Sequence, residues 1–301
     1  MSKISVLIST KNRKSDLGIT LKKIQYLLDS NDVECIVFDD GSTDDTYNFV
    51  KDNFPQIKII RNEISKGYLY CRNKMLNETQ SDFAISLDDD AHFLTENPLE
   101  KITEYFTNNP SCGLLALRIY WGIEEPKEQI SSQNSHQVQS FVGCGHVWRM
   151  NSWKEIPNYP EWFQFYGEEN FASLQLFKKN WEVHYLPDIL VHHRVDIKSR
   201  SKKNNDFSFR YRRSIRSGWY VIFLFYPAIK IPRIIAYSLF MQIKSKILKG
   251  NFKVIKPLFL AILDAVCNLP ILIRNRTPLS KNEYINYLKL KETKIFWKPE
   301  N

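Results

Sequence analysis

Short apolar runs alternate with helical patterns through the first half of the chain. The runs are nearly all apolar and rich in β-branched residues, as expected of strands that are covered on both faces. Five such strands are predicted, at residues 4–9, 33–38, 57–60, 83–87 and 114–117. Helical spacing of apolar residues separates several of them. This alternation predicts βαβ crossovers and therefore an α/β domain with a mostly parallel central sheet.

Polar clusters come directly after three of the predicted strands. They are STKNR at 9–13, DDGSTDD at 39–45 and DDD at 88–90. In open parallel sheets, ligands bind outside the carboxyl ends of the strands. We therefore expect the functional site where these three clusters meet.

The third cluster consists of three consecutive carboxylates, Asp88, Asp89 and Asp90. Like charges held this close repel one another, and a divalent cation removes that cost. Carboxylate oxygens suit Mg²⁺ or Mn²⁺ together with the oxygens of a diphosphate. Asp88 and Asp90 have the Asp-x-Asp spacing that puts two side chains on one face of a strand. A solvated acidic turn is the alternative for this segment by itself.

The second cluster has the composition of a ligand-binding loop. Asp40 directly follows a strand, where its carboxylate is able to accept hydrogen bonds from a base or a ribose. Gly41 permits a tight turn and a close approach of the backbone, and Ser42 is suited to begin the next helix. An ordinary capped loop uses the same residue types, so both interpretations stay open at this point.

Four segments together resemble the successive motifs of family 2 glycosyltransferases with the GT-A fold. They are ISVLISTKNR, VFDDGSTDDT, SLDDDAHFLTENP and YGEENFASLQLFKKNWEVHYLP, in that order within residues 3–197. The resemblance implies a GT-A catalytic domain over residues 1–197. It also implies an inverting transfer of one sugar from a UDP- or dTDP-sugar to a hydroxyl of a cell-surface glycan.

The resemblance further implies roles for individual residues. Those that would contact the nucleotide are Ser9, Thr10, Asn12, Arg13, Asp40, Gly41, Ser42, Arg72 and Asp89. Asp88 and Asp90 would bind Mn²⁺ or Mg²⁺, and either His192 or His193 would be a further ligand unless both are ordinary buried or turn histidines. The metal and an arginine would neutralise the charge that grows on the departing diphosphate.

The fourth motif would supply the general base. Relatives carry Glu-Asp at this point, whereas this chain carries Glu168 and Glu169, so Glu169 occupies the position of the Asp. A glutamate performs the same proton transfer if it reaches the acceptor hydroxyl. Both glutamates are candidates and Glu169 is preferred. The alternative for either is an acidic first turn of a helix, favoured by the helix dipole.

Three further residues are candidates for contact with the donor sugar or the acceptor. Gly143 and Gly145 predict a backbone segment that passes close to a ligand, although a β-bulge would have the same sequence. Trp148 is a candidate for stacking on a sugar face, although most tryptophans in such a chain belong to the core.

The last third of the chain, residues 198–301, differs from the rest in charge. Lys198 to Lys256 contains 15 lysines and arginines and a single acidic residue, Asp206, whereas the whole chain has a net charge of +9. Short apolar runs with aromatic and basic flanks predict helices that lie in a membrane interface, where anionic lipid attracts them. We therefore expect a mainly helical region in peripheral contact with the inner face of the cell membrane. The alternatives are packing on the catalytic domain and formation of a homodimer.

Other features of the sequence bear on the location of the protein in the cell and on the partners that it binds. No apolar run reaches the roughly 20 residues that span a bilayer, and the first residues do not form a signal peptide. The five cysteines include no CxxC pair, which favours a reducing compartment and predicts a cytoplasmic protein. Nucleic acid is not an expected partner, because no recognition motif accompanies the basic region.

Two other functions use similar residues. A sugar nucleotidyltransferase also needs strand-end carboxylates and a metal, but its glycine-rich, basic N-terminal loop is missing here. A catalytically idle protein that binds glycans or nucleotides on the same fold is the alternative outside the enzymes. The substitution of Glu-Glu-Asn for the usual Glu-Asp keeps that alternative open.

Overall fold

The computed structural model describes residues 3–196 and 204–298, which form two compact units. The first unit comprises residues 1–164, 172–196 and 290–301, and the second comprises 165–171 and 197–289. The domain boundary predicted between residues 197 and 198 lies outside the described residues and stays a prediction.

The first unit is built on one nine-stranded sheet. Its strands are β1 Ile4–Thr10, β2 Val33–Asp39, β3 Lys58–Arg61, β4 Phe83–Asp88, β5 Ala91–Phe93, β6 Cys112–Trp121, β7 His136–Gln137, β8 Gly145–Arg149 and β9 Glu182–His193. Their order is β3-β2-β1-β4-β8-β6-β9-β5, with β7 paired to β9. Strands β1 to β4, β6 and β9 run in one direction, because β8 is antiparallel to both β4 and β6. The predicted α/β class with a mostly parallel sheet is confirmed.

Helices cover the sheet and bury its apolar strands. They are α1 Lys14–Ile24, α2 Thr46–Asn53, α3 Tyr68–Glu78, α4 Pro98–Asn108, α5 Met150–Lys154 and α6 Glu168–Lys178. In α1, Leu17 and Leu21 face the core at helical spacing and are fully buried with Val6 and Ile8 of β1. All five predicted strands are present, as β1, β2, β3, β4 and β6.

The turn between β4 and β5 is the feature of the fold that positions the candidate site. β4 ends at Asp88, and Asp89 and Asp90 form the turn before β5. The backbone N–H of Arg194, just beyond β9, donates a 2.9 Å hydrogen bond to the carbonyl of Asp90. β5 and β9 are antiparallel, with Ala91 opposite His193. The end of β9 is therefore held beside the acidic turn.

The second unit is helical, as predicted for the C-terminal region. Its helices are α7 Asn204–Phe225, α8 Ile231–Gln242, α9 Ile255–Cys267, α10 Leu269–Arg274 and α11 Lys281–Lys289. Trp219 of α7 packs with Leu258 and Ala261 of α9 to form its core. Among the described residues, no helix has both the length and the apolar character required to cross a bilayer.

Candidate active site

Two aspartates and a histidine converge at the β4–β5 turn. Nε2 of His193 lies 2.9 Å from Oδ1 of Asp90 and 3.9 Å from Oδ2 of Asp88. The three potential ligand atoms all lie within 4.8 Å of one another. Asp90 and His193 are buried, whereas Asp88 is half-buried. Two carboxylates and an imidazole form a donor set that suits Mn²⁺ and tolerates Mg²⁺ less well, so these residues fit a divalent cation.

Two arginines contact the other oxygens of the same carboxylates. Nη2 of Arg13 lies 2.6 Å from Oδ2 of Asp90, and Nη2 of Arg72 lies 2.8 Å from Oδ1 of Asp88. Each aspartate therefore turns one oxygen toward His193 and the other toward a guanidinium group. Both arginines would keep their partners while a cation bound on the histidine side. Positive charge is thus supplied from two sides of the acidic turn.

The charges in this cluster depend strongly on one another. Burial disfavours the charged ring of His193, but Cys144 and the carboxylates of Asp90 and Asp88 outweigh it and raise the pKa of His193 to about 11. Without a cation the ring is therefore protonated at neutral pH. A histidine ligates metal only in its neutral form, so a cation and a proton compete for Nε2.

Asp89 connects the acidic turn to β1. Burial raises the pKa of Asp89 to about 7, even though Arg13 acts in the opposite direction. Its Oδ2 accepts a 2.7 Å hydrogen bond from Oγ1 of Thr10, and its carbonyl accepts another from Thr20 in α1. The nucleotide contact predicted for Asp89 stays a prediction.

His192 points to the opposite face of β9 from His193, as adjacent residues in a strand must. It lies near His92 and Glu125. Nδ1 of His92 accepts a 2.7 Å hydrogen bond from Arg194, so in the neutral ring its Nε2, the atom that faces Glu125, carries the proton. A protonated nitrogen does not ligate a metal. Of the two predicted histidines, only His193 joins Asp88 and Asp90.

The loops after β1 and β2 are connected by Asn12 and Ser42. Oδ1 of Asn12 accepts a 2.7 Å hydrogen bond from the backbone of Thr43, and the backbone N–H of Asn12 donates to Oγ of Ser42. Asn12 has a positive φ of 54°, a conformation that asparagine tolerates better than most residues. Ser9 lies half-buried just before this loop. Their predicted nucleotide contacts stay predictions.

Asp40 already accepts four hydrogen bonds from the loop that precedes α3. Oδ1 accepts from Nδ2 of Asn62 and the backbone of Lys66, both at 2.8 Å. Oδ2 accepts from Oγ of Ser65 at 2.6 Å and the backbone of Gly67 at 2.9 Å. Burial would raise the pKa of Asp40, but these donors outweigh it and lower the pKa. The predicted contact with a base therefore requires that one of these donors be released.

Arg72 is held by α3 and by the backbone before β8. Its Nη2 also donates a 2.8 Å hydrogen bond to the carbonyl of Gly143, and its guanidinium lies 4.4 Å from the ring centroid of Tyr68. The hydroxyl of Tyr68 lies 3.4 Å from Oδ1 of Asp88. We did not predict Tyr68 from the sequence, although its position one helical turn before Arg72 is a usable signal.

Trp148 belongs to the core, which corrects its predicted role in sugar or acceptor binding, whereas the ligand contact predicted for the backbone at Gly143 and Gly145 stays a prediction. Gly145 is also buried, and a Cβ at this position would lie 3.0 Å from the side chain of Ile119 and 3.1 Å from that of Val191, so both are packed closely against it. Trp148 has 0% exposure, and its ring packs 5.0 Å from that of Trp153. A side chain with no exposed face offers no surface to a sugar.

The two candidate bases begin α6, within the segment 165–171 that belongs to the second unit. Glu168 is 3% exposed, whereas Glu169 is half-buried. The preceding residues Tyr166 and Gly167 both have positive φ angles, 71° and 84°. A tyrosine in this region is strained, and such strain is concentrated at functional sites.

Comparison with known proteins identifies the family. Residues 5–183 match the profile of Glycosyl transferase family 2. The chain belongs to that family. One relative of the chain is the GalNAc(5)-diNAcBac-PP-undecaprenol beta-1,3-glucosyltransferase of Campylobacter jejuni, 38% identical over 100 residues that cover 32% of each chain. In the curated relatives that it matches, the aligned segment covers only 37%, 35% or 32% of the relative's length, about a third.

Solved structures of similar fold confirm the GT-A fold predicted for the chain. GalNAc-T7 with UDP, GalNAc and Mn²⁺ superposes with a TM-score of 0.60 at 14% identity, over 76% of this chain and 49% of that chain. The mannosyltransferase PcManGT from Pyrobaculum calidifontis, in complex with GDP-Man and Mn²⁺, gives 0.58 at 13% identity, over 96% and 79%. At these identities the likeness establishes the fold.

We predict that Gly41→Ala weakens nucleotide binding and lowers the melting temperature. Gly41 has a φ of +70°, and an added Cβ would lie 2.8 Å from the backbone nitrogen of Ser65. Strain of this kind costs about 1–3 kcal/mol. The control is Gly218→Ala in α7, where the added Cβ would meet no described atom within 4 Å apart from its chain neighbours and the backbone of its own helix. Thermal unfolding and UDP titration test this, and equal behaviour of the two variants would contradict it.

We also predict that the two histidines differ in their contribution to metal binding. His193→Gln should weaken Mn²⁺ binding about tenfold or more, because it removes the nitrogen that faces Asp88 and Asp90. His192→Gln is the matched control, since this neighbouring side chain points to the other face. Isothermal titration with Mn²⁺ in the presence of UDP measures both. Equal losses in the two variants would exclude the proposed ligand set.

Proposed function

We propose that this chain is a metal-dependent, inverting glycosyltransferase that uses a UDP- or dTDP-sugar. The proposal rests on the convergence of Asp88, Asp90 and His193 beside Arg13 and Arg72. A nucleoside diphosphate leaves with negative charge on its terminal phosphate, and fixed positive groups lower the energy of that state. Family membership and the GT-A fold support the interpretation of these residues as a site for a metal ion and a nucleoside diphosphate.

The residues around the β4–β5 turn would have different roles in binding the metal and the diphosphate. Asp88, Asp90 and His193 would hold a Mn²⁺ or Mg²⁺ ion, which when bound neutralises charge on the diphosphate oxygens. Arg72 keeps Asp88 oriented and is itself fixed by the carbonyl of Gly143. Arg13 does the same for Asp90 and would also contact the nucleotide. This rigid arrangement means that little reorganisation is needed as the glycosidic bond breaks.

We propose Glu169 as the general base. Its carboxylate would accept the proton of the acceptor hydroxyl while that oxygen attacks the anomeric carbon and the bond to the diphosphate breaks. A single displacement of this kind inverts the anomeric configuration. Two observations favour Glu169 over Glu168: its position in the fourth motif and its greater exposure. A base must be open to an incoming acceptor.

The proposed acceptor is a lipid-linked glycan in cell-surface polysaccharide biosynthesis, met at the cytoplasmic face of the cell membrane. The name of the Campylobacter jejuni relative includes an undecaprenol-linked acceptor. The basic helical region at 198–301 is the part of the chain suited to peripheral contact with that membrane. In this organisation residues 1–197 bind the donor and perform the transfer.

The first test is a panel of nucleotide sugars in thermal unfolding, with and without Mn²⁺. We expect stabilisation by one nucleotide class and only with metal, about 2.7 kcal/mol at a hundredfold excess over Kd. Asp90→Ala should remove it, whereas Asp188→Ala, an exposed aspartate of β9, should not. Release of pyrophosphate during turnover would instead favour a nucleotidyltransferase. Binding without any turnover would favour an idle binding protein.

The second test concerns the base. Glu169→Gln should leave donor binding unchanged and lower the transfer rate about 10²-fold or more, the range typical of general-base removal. Glu168→Gln is the matched control and should have the smaller effect on turnover. Steady-state transfer and donor titration separate the two properties. Near-normal turnover of Glu169→Gln would refute the assignment.

A further inference from the structure

The second unit exposes an unusual number of large apolar side chains. Of the 22 that are exposed in the described residues, 12 lie between Ile229 and Ile273. Soluble proteins seldom expose contiguous apolar surface on this scale unless it meets a partner or a membrane. We call the part contributed by α8, α9 and the segment between them the α8–α9 surface.

Helix α9 is apolar on two opposite faces. Leu258 and Ala261 face inward and pack against Trp219 of α7. Phe259, Leu263 and Val266 form a second stripe at helical spacing and are 58%, 42% and 63% exposed. A helix that is apolar all round is normally buried all round. The described residues of this unit cover only the face formed by Leu258 and Ala261.

Helix α8 continues the same surface. None of its residues is buried, and Tyr237 and Phe240 are 63% and 53% exposed. Phe252, in the short turn before α9, is 65% exposed. An apolar cleft of about 270 Å³ lies between the helices of this unit, and its lining includes Trp219, Leu239, Ile262 and Val266. The surface therefore has both protruding aromatic rings and an apolar recess.

The charge of this surface identifies its partner. Seven basic residues and no acidic residue occur from Lys230 to Lys256, and all seven are exposed. They alternate with the apolar side chains: Lys244 follows Ile243, Lys253 follows Phe252 and Lys256 follows Ile255. The neighbouring acid, Asp264, is engaged by Arg212 at 2.7 Å. A surface that is both apolar and uniformly cationic complements anionic lipid.

We propose that the α8–α9 surface docks on an anionic bilayer, with α8 and α9 lying in the plane of the interface. Phe240, Phe252 and Phe259 would enter the boundary between headgroups and acyl chains, and the lysines would meet lipid phosphates. A second copy of the chain fits less well, because a symmetric contact would bring the same cations together. The inference rests on the proposed function, since a lipid-linked acceptor is what places the enzyme at a membrane.

Vesicle sedimentation of the full chain tests the docking. We expect binding to vesicles of phosphatidylcholine mixed with phosphatidylglycerol, and much weaker binding to phosphatidylcholine alone. Phe252→Ser with Phe259→Ser should lower the bound fraction at least tenfold. Lys249→Glu with Lys253→Glu should abolish the preference for anionic lipid. The matched control is Ile285→Ser with Leu288→Ser, two exposed side chains of α11 outside this surface.

The outcomes separate docking from catalysis. Sugar transfer to a soluble acceptor should be unchanged in the Phe252 and Phe259 double variant, which also reports that it is folded. Vesicle binding without transfer from any donor would overturn the proposed function and leave the docking intact. Absence of vesicle binding by the wild type, or equal loss in the α11 control, would overturn the docking. A dimer in light scattering that this double variant dissociates would also overturn it.

Discussion

The first unit depends on a balance of charge at the β4–β5 turn. Three carboxylates in succession are unstable unless positive groups surround them, and those groups come from distant parts of the sequence. Arg13 comes from the loop after β1, Arg72 from α3 and His193 from β9. The sheet order explains why they can meet, since β1 is the direct neighbour of β4 and β9 pairs with β5. The acidic turn thus brings together the elements that form the proposed nucleotide-sugar site.

The same balance limits which residues can act on a ligand. A carboxylate whose oxygens already accept hydrogen bonds from the protein mainly holds the surrounding loop in place. Asp40, which accepts four such bonds, is the clearest case. Asp88 and Asp90 differ, because each has one oxygen directed at His193, which a cation could share. The oxygens proposed to bind a cation therefore lie on the histidine side of the turn, and the surrounding loops hold the turn in its conformation.

Much of the fold was predictable from the sequence, because strands buried on both faces appear as apolar runs. Four strands, β5, β7, β8 and β9, were not among the five predicted. Three of them, β5, β7 and β8, have only three, two and five residues, which give little periodicity. The residue types that form the candidate site were predictable from the sequence, but the face of a strand on which a side chain lies and its burial were not. Which histidine joins the aspartates depends on the face of β9 that each occupies, and this is fixed by the pairing of β9 with β5 and β6. Trp148 was assigned to sugar binding because residue type alone does not distinguish a stacking ring from a core ring.

The two units differ in how they accommodate groups that are costly to hold together or to expose to water. In the first, like charges are compensated internally, by guanidinium groups within 2.6–2.8 Å of the carboxylates. In the second, the cations between Lys230 and Lys256 have no acidic residue among them, and the outer stripe of α9 is apolar and exposed. Apolar side chains that stay in water on a folded helix contribute little to the stability of the fold, because water solvates them poorly. The docking proposed for the α8–α9 surface would cover these side chains with an environment that is apolar within and anionic at its edge, as a bilayer interface is.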